Sequence, residues 1–230
     1  MDTWTILWII LVILVIGSFT ILIIFNNRRS ALEKGLKEAI RQAGWKMRDD
    51  LITGKDNHGN SWQMSFNGEG INCALHWTTT SVHLRKGAFV IMPAASADIF
   101  TGPNRRLVYR LTGTGKNWLE DGMKTLQLAT SRGNTLVLGS DDFRKRFSIY
   151  GFNEGDVNGL ITPEIEVMLS NFPNSPGQPP APVYVFLNRT SLQVYAEPAE
   201  HSMDQFTHMV MMGNALAQKI AEIPEEYNQS

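Results

Sequence analysis

Three side chains near the C terminus have the types and the spacing of metal ligands. His201, Asp204 and His208 fall at positions i, i+3 and i+7, close to one face of a helix. Imidazole nitrogens and carboxylate oxygens are ligands that a divalent metal accepts. His201 precedes the expected helix cap, however, and a solvated helix edge explains the same spacing. The three residues are the metal candidates of this sequence. The simpler alternative is that they form a solvated helix edge and bind no metal.

Other patterns with possible chemistry lack an essential residue. Cys73 and His76 have a Cys-x-x-His spacing, but in an alternating strand they point to opposite faces. The run 113–117 resembles a phosphate-binding loop without the first glycine and without Ser or Thr after its lysine. The adjacent acids at 49–50 and 141–142 are typical of turns and caps. The sequence therefore predicts no catalytic residues and no cofactor, and it does not identify an enzyme.

Basic residues cluster in a run over residues 28–48, which holds seven Lys and Arg including Lys46 and Arg48, whereas acids dominate the last third. The cations that form a possible lipid-facing basic strip are Arg28, Arg29, Lys34, Lys37 and Arg41. Anionic headgroups attract such a strip, although ordinary topogenic charge explains it as well. The formal net charge of −1 argues against a nucleic-acid partner.

A long apolar run precedes the basic strip. From Trp4 to Phe25 no side chain is charged, and a helix of that length reaches about 33 Å, enough for a bilayer core. A cleaved signal peptide fits less well, because no basic residue comes first and no small-residue cleavage step follows. We expect a single transmembrane helix in the cell inner membrane. The positive-inside rule then places the following domain in the cytoplasm, with a periplasmic domain as the alternative.

The rest of the chain predicts an α+β fold, in which a mainly antiparallel sheet domain with C-terminal helices follows the transmembrane helix. The expected organisation is a transmembrane anchor (1–27), a juxtamembrane amphipathic helix (28–44), a soluble α+β domain (45–222) and a tail (223–230). A sub-boundary near residue 140 is possible within the domain.

Alternating apolar residues between glycine and asparagine turns predict the strands. The clearest alternation is that of Trp62, Met64 and Phe66 with polar neighbours. From residue 45 to about residue 148 we expect strands and turns, and Asp141 to Arg146 is expected to be a charged loop. The other expected strands lie near residues 51–52, 71–77, 82–84, 88–92, 107–111, 135–138, 146–150, 183–187 and 191–196.

Capping residues predict three helices. Ser30 caps a helix that ends near Ala43, and Thr162-Pro163 opens one that ends near Asn171. Ser202 caps the last helix, with Gln205 completing a capping box. The residues expected on the buried side of that helix are Phe206, Met209, Val210, Gly213, Leu216, Ala217 and Ile220.

Part of the C-terminal half resembles a known family. The run 142–150 (Asp-Phe-Arg-Lys-Arg-Phe-Ser-Ile-Tyr), the helix start at 160–164 and the hairpin 183–196 resemble a bacterial family of membrane-anchored proteins with domain of unknown function 3137. The segment 156–159 departs from the pattern of that family. The resemblance implies a membrane location and an uncharacterised role, and it transfers no catalytic residue.

The leading functional hypothesis is a single-pass, membrane-anchored protein whose cytoplasmic domain binds a protein partner as a scaffold or regulator. The partners expected are therefore the membrane and a protein of unknown identity. One alternative is a membrane-associated hydrolase whose site is assembled only in three dimensions. Another is a module that senses anionic lipid through the basic strip.

Overall fold

The chain divides into two units, Met1–Gly44 and Trp45–Ser230, in a computed structural model. In the first unit, residues 37–42 are helical, and the turn closes through bonds from Ala43 N to Ala39 O and from Gly44 N to Arg41 O. Gly44 has a φ of 77°, which ends the helix as predicted. The structure describes residues 35, 37–67, 74–82, 84, 87–102, 117–152, 157, 159–174, 177–197 and 202–223.

The second unit is built on one nine-stranded sheet in which every described strand pair is antiparallel. The spatial order is β1-β2-β3-β4-β9-β8-β5-β7-β6, so the β8–β9 hairpin lies between the first four strands and the rest. Strands from both sides of residue 140 therefore share one sheet. The strands are β1 (Lys46–Arg48), β2 (Leu51–Lys55), β3 (Ser61–Asn67), β4 (Ala74–Thr79), β5 (Phe89–Pro93), β6 (Asn134–Thr135), β7 (Phe147–Gly151), β8 (Val183–Leu187) and β9 (Leu192–Ala196).

Helices pack against both faces of this sheet. Their bounds among the described residues are α1 (Ala94–Thr101), α2 (Asn117–Arg132), α3 (Asp141–Arg146), α4 (Pro163–Ser170) and α5 (Met203–Ala221). We call the face that carries Gln63, Gln193 and Phe186 the first face, and the face that carries Trp77 the second face. Helices α1 and α2 pack on the first face, where Ala97 and Leu126 join a cluster with Phe186.

Helix α5 packs on the second face, across β4 and β9. A Cβ added to Gly213 would lie 2.5 Å from the Trp77 ring, so glycine lets the helix approach the strand closely. Phe206 packs against Phe66, with ring centroids 5.6 Å apart. The period of apolar residues in the sequence predicted the buried side of this helix correctly.

Several predicted elements are confirmed by the structure. The alternation of Trp62, Met64 and Phe66 belongs to β3, and all three side chains are buried. Thr162 caps α4 through the N–H of Ile165, with Pro163 at the first position. The hairpin of β8 and β9 is also present. The capping box of α5 is half formed, because Ser202 accepts from Gln205 N while the Gln205 amide donates to Pro173 O.

The expectation of strands and turns from residue 45 to about residue 148 is wrong in three places. Helices α1, α2 and α3 lie there, and the predicted charged loop is α3. Ser140 caps α3, two acids occupy its first turn and three cations its last turn, which suits the helix dipole. Val82 and Leu84 are buried but belong to no strand, and of the strand expected at 135–138 only Thr135 lies in β6, although Leu136 N donates to Ile149 O at 2.9 Å.

The predicted fold class also needs a correction. It placed a single transmembrane helix before the sheet domain, but no helix in the described part of the chain combines the length and the apolar composition that crossing a bilayer requires. Even α5, with 19 residues, carries Asp204 and Lys219 along its length. The segment chosen for the transmembrane helix, 1–27, lies outside the described residues. The structure supports an α+β fold with a mostly antiparallel sheet.

Candidate functional site

One row of side chains crosses all nine strands on the first face. Directly opposed residues of antiparallel strands share a face, so the register defines this row. The residues of this row are polar on the first five strands in spatial order, and they are mostly apolar on the remaining four strands. In spatial order the row is Lys46, Thr53, Gln63, Thr78, Gln193, Phe186, Val90, Tyr150 and Thr135.

The first face therefore has two halves of different character. The covered half is the first face of β5, β7 and β8, against which α1 and α2 pack. Phe186 and Leu126 are 4 % and 1 % exposed there. A Cβ added to Gly122 of α2 would lie 3.2 Å from the Phe186 ring, which shows how closely helix and strand approach. This half is a hydrophobic core.

The open half is the first face of β1, β2 and β3. Gln63, Lys46, Arg48 and Lys55 are exposed there, and Leu51 is 37 % exposed. The three strands contain no acidic residue. Side chains of this kind favour water or a polar partner over a helix cover.

Three cations of the open half have no ion-pair partner among the residues that the structure describes. They are Lys46, Arg48 and Lys55. Some other described cations are paired, such as Arg41 with Glu38 at 2.8 Å and Lys145 with Asp142 at 2.8 Å. The carboxylate nearest in sequence to Lys55 is that of Asp56, which instead accepts from the N–H groups of the following turn. The cations of the open half therefore form no ion pair within the described part of the domain, although two exposed acids, Asp49 and Asp50, follow Arg48 in the β1–β2 turn.

A border of buried polar side chains separates the two halves, on β4 and β9. His76 Nε2 lies 3.3 Å from Gln193 Oε1, and the Gln193 amide donates to Ser191 Oγ at 3.0 Å. Burial lowers the pKa of His76 to about 4, and the hydrogen bond with Gln193 offsets only part of that effect. The imidazole is thus neutral near pH 7.

Two tyrosines continue the border towards the covered half. Tyr195 lies opposite His76 and Tyr184 opposite Tyr195. Tyr195 Oη donates to the Glu197 carboxylate, and Tyr184 Oη lies 2.9 Å from Ser96 Oγ. Burial, followed by that bond to the carboxylate, raises the pKa of Tyr195, so its phenol is also neutral. Each of these groups thus has its own hydrogen-bond partner at the boundary between the charged open half and the apolar covered half.

The predicted metal candidates are only partly described. His201 lies outside the described residues, and Asp204 is exposed in the first turn of α5. His208 Nε2 lies 2.8 Å from Met168 O, and the His208 ring meets Phe172 edge-on at 5.3 Å between centroids. Within the described ranges, no three His, Cys, Asp or Glu side chains are placed to hold a metal ion.

The predicted basic strip is also described only in part. Arg28, Arg29 and Lys34 lie outside the described residues. Lys37 is exposed, and Arg41 binds the Glu38 carboxylate through Nε and one terminal nitrogen.

The remaining candidate patterns are explained by structure or are not described. Cys73 and residues 113–116 lie outside the described residues. Asp49 occupies the β1–β2 turn with a φ of 53°. Asp141 and Asp142 each pair with a cation three residues later in α3.

Sequence reasoning missed the open half as a site. The alternation in β3 indicated one polar side, but it did not show which polar sides remain uncovered. Lys46 and Arg48 were recognised only as members of a basic run. Their spacing of two residues, followed by a turn and Lys55 at the end of the next strand, is the signal that points to one sheet face.

A comparison of the chain with protein-family models, with curated proteins and with solved structures finds no match in any of the three. The resemblance of 142–150 and 160–164 to the family with domain of unknown function 3137 therefore stays a prediction. So does the location at the inner membrane with a cytoplasmic domain.

Proposed function

We propose that residues 45–223 act as a binding domain for a protein partner, and that the open half is the surface that contacts it. The observation that carries this proposal is the division of the first face. Helices bury one half of that face, while the other half exposes Gln63, Leu51 and three cations that have no ion pair within the described residues.

The composition of the open half supports binding over simple solvation. Antiparallel sheets often face water on one side, and such a side usually mixes both signs of charge. This one holds Lys46, Arg48 and Lys55 without an acid in the same strands. A strand face whose charged side chains have one sign attracts and orients an oppositely charged partner.

Site-specific photo-cross-linking tests the proposal in the cells that make the protein. A photoreactive residue at Gln63, which is exposed on β3 of the open half, should give a discrete protein adduct. The matched control is the same residue at Glu164, which is exposed on α4. Adducts at both positions with equal yield, or none at Gln63, would contradict the proposal.

A further inference from the structure

The cations of the open half form a ladder with the spacing of an extended chain. Arg48 and Lys46 are two residues apart on β1, and Lys46 lies opposite Thr53, two residues before Lys55 on β2. Side chains on one face of a strand repeat at about 6.8 Å. The three cations therefore occupy three successive levels along the strand direction.

The outer edge of β1 offers backbone groups beside this ladder. Strand β1 is the end of the sheet order, and its only strand partner in the described chain is β2. An edge strand presents N–H and C=O groups that a further strand can pair with.

The other side of β1 has a different chemistry. Trp45 and Met47 alternate with Lys46 and Arg48, and both are half-buried on the second-face side. The Trp45 ring meets the Trp62 ring edge-on, with centroids 5.4 Å apart. A strand added beside β1 would therefore place alternate side chains next to cations and the intervening ones next to apolar groups.

We infer that the outer edge of β1 binds an extended segment of a partner protein in which acidic and apolar residues alternate. This inference rests on the proposed function and names the chemistry of the partner. The carboxylates face Lys46 and Arg48 as cross-strand ion pairs, and a further acid lies towards Lys55. The apolar residues extend the surface of Met47 and Trp45.

Short fluorescent peptides test the inference with the full-length protein. The probe is Gly-Val-Glu-Val-Glu-Val-Glu-Gly, and its control, Gly-Val-Val-Val-Glu-Glu-Glu-Gly, has the same composition without the alternation. Fluorescence anisotropy should show that the alternating peptide binds about fivefold more tightly or better, because only that peptide forms both sets of contacts. N-methylation of alternate peptide residues should abolish binding by removing the strand hydrogen bonds.

Variants of the protein identify the contact surface. The double variant Lys46→Gln with Arg48→Gln should bind the alternating peptide at least about fivefold more weakly, because two cross-strand ion pairs are lost. The matched control is Arg189→Gln, an exposed cation in the β8–β9 turn. It should leave the affinity unchanged.

Three outcomes would overturn the inference. These are equal affinity for the alternating and block peptides, no binding of either peptide, and binding to phosphatidylserine vesicles that needs Lys46 and Arg48 while the peptides do not bind. If the inference fails but the adduct at Gln63 forms, the proposed function stands with a partner of different chemistry. If both experiments fail, both the inference and the proposed function are refuted.

Discussion

The two halves of the first face belong to one sheet and one register, yet one half is buried under helices and the other is exposed. The covered half places Val90 and Phe186 under two helices, whereas in the open half Gln63 is exposed and Thr53 is half-buried. Hydrogen bonding between the strands is of the same kind in both. The difference lies in the side chains, because burying apolar area releases about 25 cal/mol per Å² while burying unpaired polar groups costs free energy.

The comparison separates the half that contributes packing from the half that we propose for binding. The covered half excludes water and holds the helices, and its side chains are enclosed. The open half contributes little packing, and its charges are available to a partner. Between them, the border of His76, Gln193 and the two tyrosines satisfies polar groups at the depth where the core ends.

The largest expected difference between the halves is in how much stability is lost when a side chain is truncated to alanine. Phe186→Ala should lower the free energy of unfolding by about 3–5 kcal/mol, because it leaves a cavity under α2. Gln63→Ala should change it by less than about 0.5 kcal/mol, since that side chain is exposed. Urea denaturation measures both. Similar losses for the two variants would show that the open half is buried in solution.

Acid should destabilise the border. The folded pKa of His76 is about 4 and its ordinary value is 6.5, so between these pH values the unfolded chain binds a proton that the folded chain does not. Stability therefore falls as the pH falls from about 6.5 to about 4, by about 3 kcal/mol in full. Denaturation curves across this range measure the effect.

Two single replacements, at His76 and at the control position His58, separate the effect of His76 protonation on stability from the effect of carboxylate titration. His76→Gln should flatten the fall in stability below pH 6.5, because the titrating group is gone. His58→Gln, at an exposed turn, should leave the fall in place. An unchanged pH profile in His76→Gln would refute the role of that imidazole.

A methyl group added at Gly213 should weaken the packing of α5 against the second face. Gly213→Ala should lower the free energy of unfolding by about 1–3 kcal/mol, because the added Cβ would lie 2.5 Å from the Trp77 ring. Helix propensity alone predicts the opposite sign. Gly122→Ala, with its nearest ring atoms at 3.2 Å, should cost less. A gain in stability from Gly213→Ala in thermal unfolding would mean that α5 lies further from β4.

The smallest expected effect is at the contact between the border and α1. Tyr184→Phe should lower the free energy of unfolding by about 1 kcal/mol through loss of the hydrogen bond with Ser96. A double-mutant cycle with Ser96→Ala isolates the pair. Tyr150→Phe is the control, because the structure shows no bond for that hydroxyl in the described chain. Additive losses in the cycle would show that the two hydroxyls do not interact.

Local patterns in the sequence were sufficient for elements whose signals are short-range. The alternation in β3, the Thr162-Pro163 start of α4 and the apolar side of α5 are properties of neighbouring residues, and all three are present. The same reasoning missed α2, although Met123, Leu126 and Ala129 repeat every three residues and are buried. Attention to that period would have separated the helix from the surrounding strands.

What the sequence by itself determined is β3, the β8–β9 hairpin and the capped helices α4 and α5, together with the basic character of the chain around residues 28–48. Only the tertiary structure decided that Lys46, Arg48 and Lys55 lie exposed on one sheet face, and that His76 lies against Gln193. The physical reason is that strand order and helix placement depend on contacts between residues far apart in the chain. His76 and Gln193, for example, are separated by 117 positions.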